Sequence, residues 1–254
     1  MIELTLIGIG TGNPDHLTVQ AAQAMNAADL ILIPFKGAGK SDLAGLRRAI
    51  CAQHITNPAT RIVEFDLPKR DAARPSYHAG VDDWHDAITD AWEAQIRSAL
   101  GESGRVALLV WGDPSLYDST LRIAERLRQR MAVQTRVIPG ITAIQALCAA
   151  HAIPLNDIGA PVLITTGRKL RENGWPEAAD TLVVMLDGEC SFTTLATEGV
   201  QIWWGAYVGM AEQILRAGPL DDVAADICTT RAQARAEHGW IMDIYLLRRA
   251  PQAA

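Results

Sequence analysis

The sequence predicts an α/β protein of two lobes, and three observations carry that prediction. Short apolar runs alternate with helical patterns through most of the 254 residues, as in parallel sheets joined by crossover helices. The runs of the first half are bounded by Gly, Pro or Asp. The alternation breaks at HAIPLNDIGAP, from His151 to Pro161, where two prolines and a glycine lie in a polar stretch that suits neither helix nor strand. The boundary is placed there, with a first lobe over 1–152, a second over 160–254 and a cleft between them.

In the first lobe, strands are expected at 2–9, 30–34, 61–67, 106–111 and 136–138. The clearest helix is expected over 81–99. Val81, Trp84, Ile88, Trp92, Ile96 and Ala99 recur there at three- or four-residue spacing, and Asp82, Asp83, Asp86 and Asp90 take the other face. Its tryptophans read as core. In the second lobe, strands are expected at 162–166, 181–186, 201–207 and 240–247. No short-period repeat or low-complexity tract points to a solenoid or a disordered scaffold.

A net charge of −6 removes any general attraction to nucleic acid or to an anionic membrane surface. MIELTLIGIG has no basic flank before its apolar run and no small-residue cleavage site after it, so neither a signal peptide nor a membrane span is expected, and the cytoplasm is. Cys51, Cys148, Cys190 and Cys228 form no C-x-x-C pair, which argues against a zinc site and a disulfide framework, so no metal is expected. Cations are denser between residues 36 and 74, and spacing alone reads them as a solvated face.

Three glycine-bearing loops follow strands of the first lobe. LIGIGTGNPDHLT, from Leu6 to Thr18, is a tight strand-to-helix loop with Thr18 as the expected N-cap. Its third glycine comes one residue too early for a G-x-G-x-x-G dinucleotide fingerprint, and Asp29 stands at the start of the next strand rather than its far end. LLVWGDPSLYDST, from Leu108 to Thr120, ends another buried strand. Asp113 there reads either as a ligand contact or as a cap for a helix beginning near Ser119. VIPGITAIQALCAA, from Val137 to Ala150, stops a strand at Pro139-Gly140 and offers Thr142 as a cap or lining residue.

Together, GIGTGNPDHLT, WGDPSLYDST and PGITA resemble the tetrapyrrole methylases over nearly the whole chain, and LITTGRKL, LVVMLDGECSF and GAYVGMAEQ are similar to that family's second-lobe segments more loosely. The resemblance implies two α/β/α lobes, with a mostly parallel sheet in the first and a mixed sheet in the second. It also implies that the methyl donor S-adenosyl-L-methionine binds in the cleft, with S-adenosyl-L-homocysteine as its product. The donor contacts would be Thr11, Trp111, Gly112, Asp113, Leu116, Thr142, Ala143, Leu186 and Val208. The first loop departs from the common family pattern, in which a proline is usual at Thr11, an aspartate at Asn13 and a leucine at His16. These departures point to the branch that methylates C1 of precorrin-5 and releases acetate in cobalamin biosynthesis.

Methyl transfer from a sulfonium needs the attacking carbon held in line and no protein nucleophile. The chain accordingly has no G-x-S-x-G elbow. Acetate release by water would benefit from a base and an oxyanion donor. Asp15 or His16 is the candidate base and Tyr117 the candidate donor, against the alternatives of a helix cap for Asp15 and an exposed loop residue for His16. A carboxylate-rich macrocycle makes Lys36, Arg47, Arg48, Arg70 and Arg74 candidate anchors. The resemblance further implies a homodimer. Methylation at another ring position, a diphthine-type substrate, and a non-catalytic module that binds donor or pigment stay open.

Overall fold

The computed structural model describes residues 1–35, 42–68 and 77–249. The chain falls into two compact units, residues 1–141 and 142–254. The division comes before the helix at Ala143–His151, not after it as the sequence implied, because that helix packs on strands of the second unit.

The first unit is a five-stranded, wholly parallel sheet. In chain order it comprises β1 (Ile2–Gly8), α1 (Val19–Ala27), β2 (Leu30–Phe35), α2 (Asp42–His54), β3 (Arg61–Asp66), α3 (Tyr77–Leu100), β4 (Gly104–Val110), α4 (Thr120–Arg128) and β5 (Val133–Ile138). The strand order is β3-β2-β4-β1-β5. Leu4 and Leu6 of β1, Leu30 and Leu32 of β2 and Val106 and Leu108 of β4 face Ile88, Trp92 and Ile96 of α3 and Ile123 and Leu127 of α4. Alternate residues Ile7, Ile31, Ile33, Ala107 and Leu109 face α1 and α2. Burial on both faces explains why these strands read as continuous apolar runs. Each buried Leu or Ile contributes about 1.5–3 kcal/mol.

The acidic face of α3 has a partner. Arg126 of α4 pairs with Asp82 and Asp86 at 2.7 Å each, and Arg130 pairs with Asp86 and Asp90. Trp84 and Trp92 belong to the core, as their spacing predicts, and Trp84 Nε1 donates to Pro68 O at 2.7 Å. Thr18 caps α1 by accepting from the Ala21 N–H at 3.0 Å.

The second unit contains α5 (Ala143–His151), β6 (Val162–Thr166), α6 (Gly167–Asn173), β7 (Thr181–Met185), β8 (Val200–Ala206), β9 (Ile214–Pro219), α7 (Leu220–His238) and β10 (Asp243–Arg249). Its sheet is mixed, in the order β6-β7-β10-β8-β9, with β6 and β7 parallel and the other pairs antiparallel. Trp204, Phe192 and Tyr245 fill its core. Strand β9 was not expected, and its Gly218-Pro219 end suits an edge position, where a missing N–H costs nothing. The four cysteines are free thiols. Burial and the adjacent Cys228 thiol push Cys190 up to about 12. Among the described residues, no helix is long and apolar enough to cross a membrane.

Candidate functional site

The three glycine-bearing loops meet at the carboxyl end of the first sheet. Adjacent strands β1 and β4 send their chains to helices on opposite faces, α1 and α4, which opens the crevice where ligands of such sheets bind. Gly10 and Gly112 bridge the two loops: the Gly112 N–H donates to Gly10 O at 2.8 Å and the Gly10 N–H to Gly112 O at 3.4 Å. The third loop is in direct backbone contact with both. A Cβ on Gly140 would lie 2.1 Å from Gly112 O and 2.8 Å from Gly8 Cα, and a Cβ on Gly8 would lie 2.5 Å from Gly140 N. Glycine is therefore required at both positions by space.

Asp113 ties this contact together. Its Oδ1 accepts from the Ser115 N–H at 2.8 Å and from Ser115 Oγ at 2.5 Å, and its Oδ2 accepts from the Gly140 N–H at 2.8 Å. Burial works to raise its pKa, but the hydrogen bonds from Ser115 and Gly140 prevail and hold it below the usual carboxylate value. It does not cap the next helix as one sequence reading had it; Asp118 Oδ1 does, accepting from the Thr120 N–H at 2.6 Å. Trp111 and Leu116 are half-buried beside it, and Gly112 is buried.

Thr11 lies between two left-handed glycines, Gly10 (φ 76°) and Gly12 (φ 111°), and is 3% exposed, its hydroxyl without a partner among the described residues. Asp15 is exposed in a short 3-10 turn, Pro14–His16, and that turn is capped by Asn13, whose Oδ1 accepts from the Asp15 N–H at 2.9 Å. The cap alternative for Asp15 thus belongs to Asn13. His16 is not simply an exposed loop residue: it is half-buried, its Cβ is 2.9 Å from where a Gly10 side chain would begin, and its buried Nδ1 has no partner among the described residues. Tyr117 is 47% exposed with a left-handed φ of 49°.

The second unit holds the remaining donor candidates. Thr142 caps α5, with its Oγ1 accepting from the Ile144 N–H at 3.1 Å, and Gln145 Oε1 accepts from the Thr142 N–H at 3.1 Å; Ala143 is the first residue of that helix. Leu186, just past β7, is 66% exposed and left-handed (φ 53°). Val208 is buried, with its Cγ1 packed where a Gly205 side chain would go.

The sequence reading missed Asp187, which is 4% exposed. Its carboxylate accepts from the Ser191 N–H (2.6 Å), Ser191 Oγ (2.7 Å), the Glu189 N–H (3.1 Å) and Tyr245 OH (2.7 Å), with Arg171 at 3.4 Å. Burial raises its pKa, yet the donors, led by Tyr245 and Ser191, outweigh burial and leave it lowered. The available signal was an acid directly after an apolar strand, in the LDG of the motif LVVMLDGECSF.

Of the candidate anchors, Lys36, Arg70 and Arg74 lie outside the described residues. Arg47 turns inward. Pairing between β2 and β4 stops at Leu32 and Leu108, so Leu109 O lacks a partner on that side, and Arg47 Nε donates to it at 2.9 Å. Burial lowers the Arg47 pKa to about 10. Arg47 lines a cavity of about 150 Å³ with Pro34, Trp84, Trp92, Leu108 and Asp118. Arg48 points outward and pairs with Glu64 at 2.5 Å.

The description of the family model that matches residues 3–224 reads tetrapyrrole (corrin/porphyrin) methylases. A precorrin-6A synthase (deacetylating) of Sinorhizobium sp is 53% identical over 251 residues, covering 98% of this chain and 96% of that protein. A cobalamin synthesis related protein (CobF) from Corynebacterium diphtheriae has a crystal structure that superposes with a TM-score of 0.84 at 42% identity, covering 98% of this chain and 99% of that one. A uroporphyrin-III C-methyl transferase from Thermus thermophilus, complexed with S-adenyl homocysteine, shares the fold at a TM-score of 0.58 and 16% identity, with 97% of each chain covered. A parallel sheet with three strand-end loops locked at one crevice, a mixed second sheet and these matches lead to one conclusion: the chain belongs to the tetrapyrrole (corrin/porphyrin) methylases.

Proposed function

We propose that this protein transfers a methyl group from S-adenosyl-L-methionine to C1 of precorrin-5 and releases acetate, giving precorrin-6A in cobalamin biosynthesis. The observation that carries the reading is the near-full-length 53% identity to a precorrin-6A synthase (deacetylating). The crevice chemistry supports it. Main-chain groups around Trp111, Gly112 and Asp113 and the half-buried Leu116 suit a nucleoside sulfonium, which needs close backbone approach and apolar cover. When bound, the donor supplies an activated methyl group; the protein's task is to hold the attacking carbon in line with it. Thr142, Ala143, Leu186 and Val208 are the second unit's candidate contacts.

Arg47 is the anchor proposed for a macrocycle carboxylate, since it lines a cavity beside the carboxyl-terminal residues of β2 and β4 and its described bonds go only to the carbonyls of Leu109 and Leu43. Lys36, Arg48, Arg70 and Arg74 are secondary candidates. The reading places the enzyme in the cytoplasm as a homodimer acting on a small molecule, with neither nucleic acid nor membrane as partner; its acidic balance is in keeping with that. The test is incubation of purified protein with S-adenosyl-L-methionine and precorrin-5. A product heavier by a methyl and lighter by an acetyl group, with one free acetate per turnover, supports the reading. A methylated product that keeps its acetyl carbons, with no acetate, points to another ring position.

A further inference from the structure

The loop after β1 holds two buried polar atoms with no hydrogen-bond partner among the described residues, Thr11 Oγ1 and His16 Nδ1. A buried hydroxyl or ring nitrogen left unpaired costs about 1–3 kcal/mol. Two in one short loop is a sizeable debt, and such debts in native proteins call for an explanation.

The local chain shows how both atoms are held in place. Gly10 and Gly12 take left-handed conformations on either side of Thr11, which is 3% exposed. Gly10 has both its N–H and its C=O tied to Gly112, so the backbone beside Thr11 cannot drift. The His16 side chain lies against Gly10, and the turn that carries it is fixed by the Asn13 cap and by His54 Nε2, 3.1 Å from Pro14 O. The neighbouring acids are differently placed. Both oxygens of Asp113 accept hydrogen bonds from Ser115 and Gly140, and Asp15 is exposed.

We propose that Thr11 and His16 form a subsite for the acetyl group that the substrate loses, with Thr11 Oγ donating to its carbonyl oxygen and His16 Nδ1 taking a proton from the attacking water. This deepens the function proposed above and rests on it. The water oxygen bonds to the acetyl carbonyl carbon, and charge develops on the carbonyl oxygen beside the Thr11 hydroxyl. The bond from that carbon to the macrocycle then breaks, and its electron pair goes to the macrocycle carbon. That pair discharges the positive charge brought by the methyl group, and the proton held at His16 passes to solvent, so that one water is consumed and one acetic acid leaves. Thr11 is thereby assigned to the acyl group rather than to the methyl donor. The pair decides whether methylation is followed by loss of the two-carbon fragment.

The test measures acetate released per methyl transferred, with S-adenosyl-L-methionine and precorrin-5 as substrates and the product mass read in parallel. Thr11→Val and His16→Asn should each lower that ratio by about a hundredfold, the usual weight of one oxyanion donor or one base. A methylated product that retains its acetyl group should accumulate. Thr11→Ser, which keeps the hydroxyl, should restore the ratio. A ratio unchanged in both Thr11→Val and His16→Asn overturns the proposal, as does a fall in S-adenosyl-L-homocysteine affinity that accounts for all lost turnover. Should either variant fail to fold, Thr11→Ala or His16→Gln is read in its place by the same ratio. If the unmodified protein makes neither methylated product nor acetate, the function itself fails, and the subsite with it.

Discussion

Asp113 and Asp187 do the same kind of work in the two units, to different degrees. Each stands just beyond the end of a buried strand, β4 or β7, and each organises the following loop by accepting from a nearby serine, Ser115 or Ser191, through both its N–H and its Oγ. Asp113 is half-buried and reaches one further donor, the Gly140 N–H, so it joins two separate loops. Asp187 is sealed in, with Tyr245 OH, the Glu189 N–H and Arg171 closing around it and Gly167 pressed so close that a Cβ there would fall 2.3 Å from its carboxyl carbon. A strand-end carboxylate thus ties loops to one another when its donors come from several of them and some surface is left over. It serves the core when every lone pair is taken.

The largest effect should come from Asp187→Asn. One amide face would confront N–H and O–H donors, and about 3 kcal/mol of stability should be lost in urea unfolding, as for other broken buried charge networks. A loss under about 0.5 kcal/mol would erase the contrast between the two aspartates. Gly140→Ala comes next. The added methyl meets Gly112 O and Gly8, so overpacking of about 1–3 kcal/mol is expected, with loss of S-adenosyl-L-homocysteine binding by calorimetry. Asp113→Asn should cost only about 1 kcal/mol and show itself in donor affinity instead, lowered about tenfold as the loops lose register. Both carboxylates sit below their usual pKa, so their stabilisation is complete above the unfolded carboxylate value and is lost as pH falls through the folded one. Each Asn variant should therefore unfold with a weaker acid dependence below about pH 4. The smallest effect sets the floor of the scale. Arg48→Ala, which removes an exposed pair with Glu64, should change stability by under about 0.5 kcal/mol.

Strands with both faces buried were legible because nothing but apolar side chains fits them, and α3 was legible because its two faces carry opposite chemistry. Strand β9 was not legible: an edge strand needs only one good ladder, so its sequence is free to carry Arg216, Gly218 and Pro219. The helix at Ala143–His151 looked continuous with the first lobe because proline and glycine punctuate after it, while the packing that assigns it lies on β8 and β10. The three loops could be found by their glycines. The reason for Gly8 and Gly140 could not, since each is set by a backbone far away in the chain. Arg47 and Arg48 were indistinguishable as letters. A helix turns consecutive side chains about 100° apart, and that rotation sends one to a carbonyl inside and the other to Glu64 outside.

The position of β1 between β4 and β5 has a consequence during synthesis. The ladder partners of β1 lie at residues 104–110 and 133–138, so during synthesis it has no lasting hydrogen-bond partner until about a hundred further residues have followed it. At about 5–20 residues per second, that interval lasts roughly ten seconds. Through it an apolar strand must be shielded from other nascent chains, which makes β1 a segment on which chaperones should act.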